Sequence, residues 1–304
     1  MINFTKSKND NLSLEISVQS ACSKLCDYCP QSNYISNYKK KFFNEEKILT
    51  FETVKLISKN IPSKTIIKWT GFTEPLDFKE FDNSVEFFFY QGFKQQISTT
   101  LLGKKNSQKF YKENLDKFFS HTIHLPDNKN LMKGKFDNEY SEYVESVIRL
   151  LDKNSIEYSI FLIGENFHIN LQHTIKKLTK EINIKDKIIK AKYLNTRASK
   201  IEPELFGLKQ TNKNHDDKAS YYCSYKRLNQ GVLLPNGKVV LCCQDYGLDF
   251  ILGDLKDQNL GQLYKTIEED SDLRSKFIDG KFSPCNRCEH YSPIERETTS
   301  ARTL

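Results

Sequence analysis

Along the first two thirds of the chain, hydrophobic and polar positions switch repeatedly between a period of two and a helical period. Residues 13–19, SLEISVQ, read as a strand, and residues 51–61, FETVKLISKNI, as a helix with Thr50 as its N-cap. Further strands are expected at 65–71 (TIIKWTG), 94–100 (KQQISTT), 121–127 (HTIHLPD), 157–164 (EYSIFLIG) and 186–196 (DKIIKAKYLNT). Between them, residues 78–91, 106–120, 138–154 and 171–182 carry apolar side chains at helical spacing. About six strand–helix units in succession imply a parallel sheet, open or partly closed into a barrel.

The rhythm changes near residue 200. Residues 209–220 are polar and linker-like. Residues 229–243, NQGVLLPNGKVVLCC, read as a hairpin that turns at Pro235-Asn236-Gly237. A helical stretch follows at 258–278, then KFSPCNRCEHY at 281–291. The pattern divides the chain into a barrel at 1–208, a small second domain at 209–293 and a loose polar tail at 294–304.

Composition narrows the function classes. The 304 residues carry a formal charge of +7, from 46 basic and 39 acidic side chains. Lys and Asn are scattered, and no basic run interleaves with aromatics, which argues against a nucleic-acid groove. The longest apolar runs are too short to span a bilayer, and the first residues lack the apolar core of a signal peptide. A cytoplasmic location is therefore expected. In that reducing compartment clustered cysteines serve as metal ligands or catalysts more often than as disulfides.

The eight cysteines fall into two groups. Cys22, Cys26 and Cys29, in SACSKLCDYCPQ, follow the first strand with C-x3-C-x2-C spacing. Three thiolates on one loop can hold three irons of a 4Fe–4S cube and leave the fourth open to a small molecule. Cys223, Cys242, Cys243, Cys285 and Cys288 form the second group. By themselves, a hairpin cysteine and a C-x2-C also fit a zinc ribbon. Adjacent strand residues face opposite sides, so Cys242 and Cys243 are not expected to ligate one centre together.

CSKLCDYC resembles the signature of the radical S-adenosylmethionine (SAM) enzymes, including the aromatic Tyr28 before the third cysteine. The resemblance implies a partial (β/α)6 TIM-type barrel. In it a 4Fe–4S cluster on Cys22, Cys26 and Cys29 binds SAM and generates a 5′-deoxyadenosyl radical. It extends to WTGFTEP (69–75), at the place of the family's glycine-rich motif, where Gly71 would allow close approach and Glu74 would bind the SAM ammonium. Phe72 replaces the family's second glycine there. Ser98, Thr99 and Thr100 would meet the ribose or carboxylate of SAM, and backbone near Ile163 and Gly164 its adenine. The second group resembles the SPASM/twitch extension: Cys223, then Gly237-x4-Cys242, then Cys285-x2-Cys288. That implies a twitch domain of hairpin and helix, holding one auxiliary 4Fe–4S cluster on these four cysteines and leaving Cys243 without a cluster.

The candidate catalytic residues are His124, Asp127 and Arg197 at the barrel mouth, with Asn195 beside Arg197, and Cys243 and Asp245 after the hairpin, where Asp245 and Tyr246 are expected near the auxiliary cluster. GFTEP, HLPD, LNTRAS and the double cysteine look like a branch associated with carbohydrate chemistry, with the aminocyclitol dehydrogenases as relatives. The expected activity is hydrogen abstraction from a small polyhydroxylated substrate, giving dehydrogenation or epimerisation. The expected partner is a one-electron reductant such as flavodoxin or ferredoxin. The alternative is a peptide- or protein-modifying maturase; barely a dozen residues before the first strand weigh against it.

Overall fold

The computed structural model describes residues 12–191, 194–206, 220–223 and 227–293. Most of the linker-like stretch 209–220, and the tail 294–304, lie outside the described residues. Six strands, β1 (Ser13–Ile16), β2 (Ile66–Trp69), β3 (Gln95–Thr99), β4 (Ser120–Leu125), β5 (Glu157–Ile163) and β6 (Ile188–Ala191), pair in sequence and in parallel. Helices α1 (Gln31–Lys41), α2 (Phe51–Ser58), α3 (Phe81–Tyr90), α4 (Lys105–Glu113), α5 (Asn138–Lys153) and α6 (Ile169–Ile182) occupy the crossovers. The α/β partial-barrel fold is the one expected.

Within β2 to β5 the alternation has a defined meaning. Ile67, Trp69, Ile97, Ile123, Leu125, Ile160 and Leu162 are buried in the layer beneath the helices, where Trp69 meets Phe81 and Phe88 edge-on. Each such side chain contributes roughly 1.5–3 kcal/mol through burial. The intervening positions, Lys68, Gln96, Ser98, His124 and Phe161, line open space on the inner side.

Four expectations about elements need correction. Helix α1 was not foreseen: Tyr34 and Tyr38, one turn apart, anchor it in an aromatic cluster, and Lys39–Lys41 suit its C-terminal dipole. The helix expected over 106–120 stops at Glu113, and a short 3-10 turn follows. The helix expected over 258–278 is two, α7 (Leu260–Glu269) and α8 (Ser271–Ile278), because Asp270 is extended and its carboxylate caps α8. The hairpin β8 (Gln230–Leu233) and β9 (Lys238–Val240) is not separate from the barrel sheet. Strand β8 pairs in parallel with β1, and an unforeseen β10 (Ile251–Asp254) extends the row to nine strands. The turn forms as expected, with Gly237 at φ 88°.

A second pairing, of β7 (Tyr221–Cys223) with β11 (Tyr291–Pro293), sets Cys223 opposite Tyr291, three residues beyond Cys288. Among the described residues no helix is long and apolar enough to cross a membrane.

Candidate functional site

The loop after β1 carries Cys22, Cys26 and Cys29 and is tied to the loop after β2. Ser23 Oγ donates to Asp77 at 2.5 Å, and Lys24 pairs with the same carboxylate at 3.3 Å. Gln31, at the start of α1, makes the tighter connection. Its Nε2 donates to Phe72 O at 2.6 Å and lies 3.4 Å from Cys29 Sγ, while its Oε1 accepts from Cys22 N at 3.1 Å.

The loop after β2 turns back at Gly71, φ 66°. A Cβ there would stand 2.4 Å from Ser17 Oγ, the oxygen that accepts from Phe72 N. Phe72, which replaces a family glycine, packs against Tyr34 and Tyr246 with ring centroids 4.9 and 4.5 Å away. It thereby joins the barrel loop to the segment after the double cysteine.

Glu74 is buried, and burial raises its carboxyl pKa against the opposing pull of four donors. Oε1 accepts from Leu76 N (3.1 Å) and Thr99 Oγ1 (2.6 Å); Oε2 accepts from Thr100 N (2.8 Å) and Thr100 Oγ1 (2.7 Å). The Thr99 and Thr100 hydroxyls therefore serve Glu74. A ligand ammonium reaching this carboxylate would take over from one of them.

The three cysteines, Gln31, Phe72 and Glu74 face one cavity of about 530 Å³. Its wall includes the three cysteines, Tyr28, Gly71, Glu74, Ser98, Thr99, Thr100, His124, Ile163, Asn195, Arg197 and Tyr246. Gly164, at φ 131°, is set back beside Asp127, whose Cβ lies 2.8 Å from where a Cβ of residue 164 would stand. A second chamber of about 270 Å³ shares Gly71, Ser98, His124, Arg197 and Tyr246 with the first and adds Glu15, Lys68, Gln96 and Cys243.

The electrostatics of the rim follow from burial. It pushes the Cys22 thiol up to about 12 and the Cys26 thiol up to about 11, so both stay protonated until a cation compensates. Burial, aided by Arg197, lowers His124 to about 4 and keeps its ring neutral. Arg197 lies over the Tyr246 ring at 5.9 Å, and the Tyr246 hydroxyl lies 3.4 Å from Cys29 Sγ.

Two candidate catalytic carboxylates do not reach either cavity. Asp127 is buried and accepts from Lys129 N and Leu131 N at 2.7 and 2.9 Å. Asp245 is fully buried and accepts from Asp249 N and Phe250 N at 2.8 and 2.9 Å, with burial raising its pKa to about 7. Both hold loops together. Sequence reasoning missed Gln31, Glu15, Lys68 and Gln96. For Glu15 and Lys68 the signal was there: polar residues at alternate positions of strands whose other positions are apolar.

Cys223, Cys242, Cys285 and Cys288 line a separate small cavity with Leu228, Leu241, Gln244, Pro284, His290 and Tyr291. Cys243 is not on its wall. Among the described residues no three His, Cys, Asp or Glu side chains stand grouped to hold a metal ion, here or on the barrel loop. The donor chemistry fits iron–sulfur clusters at both places: three thiols and an open side on the barrel loop, and four thiols around a small apolar-walled pocket.

Comparison with known proteins agrees. Residues 223–289 match the SPASM family, an iron–sulfur cluster-binding domain. The structure of BtrN in complex with AdoMet and 2-DOIA superposes with a TM-score of 0.52 over 95% of both chains, at 13% identity. This chain has a radical SAM fold with a SPASM-type domain. The structure of native anSMEcpe with bound AdoMet matches at a TM-score of 0.51 and 18% identity, covering 91% of this chain and 86% of that one. The same protein with AdoMet and the Cp18Cys peptide matches at 0.50 and 18% identity, with the same coverage. No curated protein sequence matches the chain. One match thus holds 2-DOIA and another the Cp18Cys peptide, on a shared fold.

Proposed function

We propose that the protein is a SAM-cleaving radical enzyme that removes a hydrogen atom from a small polyhydroxylated substrate, by dehydrogenation or epimerisation. The observation that carries this reading is the pair of adjoining cavities. The cysteine loop, Glu74 and Ser98 surround the first, and a polar chamber with His124, Arg197 and Cys243 opens from it. Residues 1–208 form the SAM-binding barrel in this reading, and 209–293 the auxiliary domain.

Cys22, Cys26 and Cys29 would hold one 4Fe–4S cluster, and Cys223, Cys242, Cys285 and Cys288 a second. With SAM, the first supplies a hydrogen-abstracting 5′-deoxyadenosyl radical, and the second an acceptor for one electron. Glu74 receives the SAM ammonium, and the wall at Ser98 and Ile163 holds its ribose and adenine. Tyr28 and Phe72 keep water from the rim. In dehydrogenation, neutral His124 takes the hydroxyl proton while Arg197 orients the oxygen. In epimerisation, Cys243 gives its hydrogen atom to the carbon radical from the other face, and a one-electron reductant such as flavodoxin or ferredoxin restores the thiol. A cytoplasmic location suits oxygen-sensitive clusters. The likeness to a peptide-bound relative supports peptide modification as the second reading.

The test is anaerobic reconstitution with iron and sulfide, then incubation with SAM, dithionite and candidate sugars in heavy water. Solvent deuterium on carbon marks epimerisation, and a product lighter by two hydrogens marks dehydrogenation. A zinc-loaded protein that yields no 5′-deoxyadenosine overturns the reading.

A further inference from the structure

The inner face of the barrel beneath the SAM cavity is charged where a parallel barrel is ordinarily packed with Val, Ile and Leu. Glu15 on β1 stands opposite Lys68 on β2, and Lys68 opposite Gln96 on β3. The three form one row across adjacent strands, and all three line the 270 Å³ chamber. Glu15 is 5% exposed. Withdrawing such ions from water costs several kcal/mol each, and their mutual attraction offsets only part of that. An apolar row would pack the barrel more stably, so the row's chemistry points to what the chamber receives.

From these residues, we infer that the chamber recognises a small polyhydroxylated substrate bearing an acidic group, a carboxylate or a phosphate ester. Lys68 and Arg197 meet the acid, and Glu15 and Gln96 accept from or bridge the hydroxyls. This rests on the radical SAM reading above and names the substrate class of that same site.

Charge supports the acidic group. The chamber wall carries two cations, Lys68 and Arg197, against one carboxylate, Glu15. Arg197 packs on the Tyr246 ring, and its buried Nε has no hydrogen-bond partner. A planar guanidinium placed this way suits the two oxygens of a carboxylate or phosphate. Size supports the small substrate. A volume of about 270 Å³ lies at the small end of ligand cavities, which run from roughly 300 to 1,000 Å³.

The experiment measures equilibrium binding of D-glucose, D-glucuronate and D-glucose 6-phosphate to the anaerobically reconstituted, SAM-loaded protein by calorimetry. At least one acidic sugar should bind tenfold or more tightly than glucose, and which one separates the carboxylate from the phosphate. Lys68→Met should remove that preference. Because it leaves Glu15 buried beside an apolar chain, the paired variant Glu15→Gln/Lys68→Met is measured alongside, with folding checked by thermal melting. Equal affinity for all three sugars, no binding of any, or an acidic preference that survives the paired variant overturns the inference. Failure of the wild type to form 5′-deoxyadenosine would instead overturn the radical SAM reading. Intact SAM cleavage without charge preference overturns the inference alone.

Discussion

Cys242 and Cys243 are neighbours in the chain and open onto different cavities. Cys242 faces the four-thiol pocket with Cys223, Cys285 and Cys288, and Cys243 faces the chamber with Lys68, Arg197 and Tyr246. Strand β9 ends at Val240, and the chain bends at Leu241 and turns at Cys243, so the path of this turn, and not strand alternation, sends the two thiols to different sites. Burial raises the Cys242 thiol well above its ordinary range, and a metal centre reverses that. The expected outcome is that Cys243→Ala retains the iron and sulfide of both clusters after reconstitution. Cys242→Ala should lose about half of each. Iron and sulfide content with ultraviolet–visible spectra decide it, and loss of iron in Cys243→Ala would mean the two roles are reversed.

The four donors on Glu74 make its charge a structural element as well as a ligand group. In Glu74→Gln, the new amide nitrogen must face hydroxyl or backbone donors that formerly met a carboxylate oxygen. A buried polar mismatch of this kind costs about 1–3 kcal/mol. Reduced chemical stability in urea is expected, together with SAM affinity lowered tenfold or more. Unchanged SAM affinity in a folded Glu74→Gln protein would remove Glu74 from the SAM site.

Gln31 is the connection between the cysteine loop and the loop after β2. Gln31→Ala removes the acceptor for Cys22 N and the donor to Phe72 O, both within the cluster's surroundings. We expect a stability loss of about 1–3 kcal/mol and lower iron retention during gel filtration. Should thermal melting and iron retention both match the wild type, the loop is held by Asp77 instead, through Ser23 and Lys24.

What was legible in the sequence was local. Cys22, Cys26 and Cys29 share one loop, so their spacing alone limits what they can hold, and the Pro235–Gly237 turn needs only its own residues. The alternation in β2 to β5 was also written in the chain, yet which period faced the helices depended on strand register. Hence Lys68 and Gln96 are not singled out by the sequence alone. Asp127 looks catalytic because it follows a strand, and Asp245 because it follows the cysteine pair. Whether such a carboxylate faces a cavity or folds back onto backbone N–H groups is set by the path of the next four residues. The pairing of β8 with β1, and of β7 with β11, joins segments far apart in the chain, and no local pattern encodes it.

His121 gives a stability test away from both metal sites. It is buried behind β4, where Nε2–H donates to the Leu115 carbonyl at 3.1 Å, so that Nδ1 accepts from the Tyr111 hydroxyl at 2.7 Å. Burial lowers its pKa from 6.5 to about 4. Between those values the unfolded chain binds a proton there that the folded protein does not. Stability from this group is therefore fully present above pH 6.5 and is lost as pH falls toward 4. The whole effect is on the order of 3 kcal/mol. Urea denaturation at pH 7 and pH 5 should show the wild type losing more stability on acidification than His121→Gln, by about 1–2 kcal/mol within that interval. The substitution lowers stability at pH 7 by disturbing the Tyr111 contact, so the difference between the two pH values, rather than either value alone, carries the test. Equal pH dependence in the two proteins would show that His121 is protonated within its buried site.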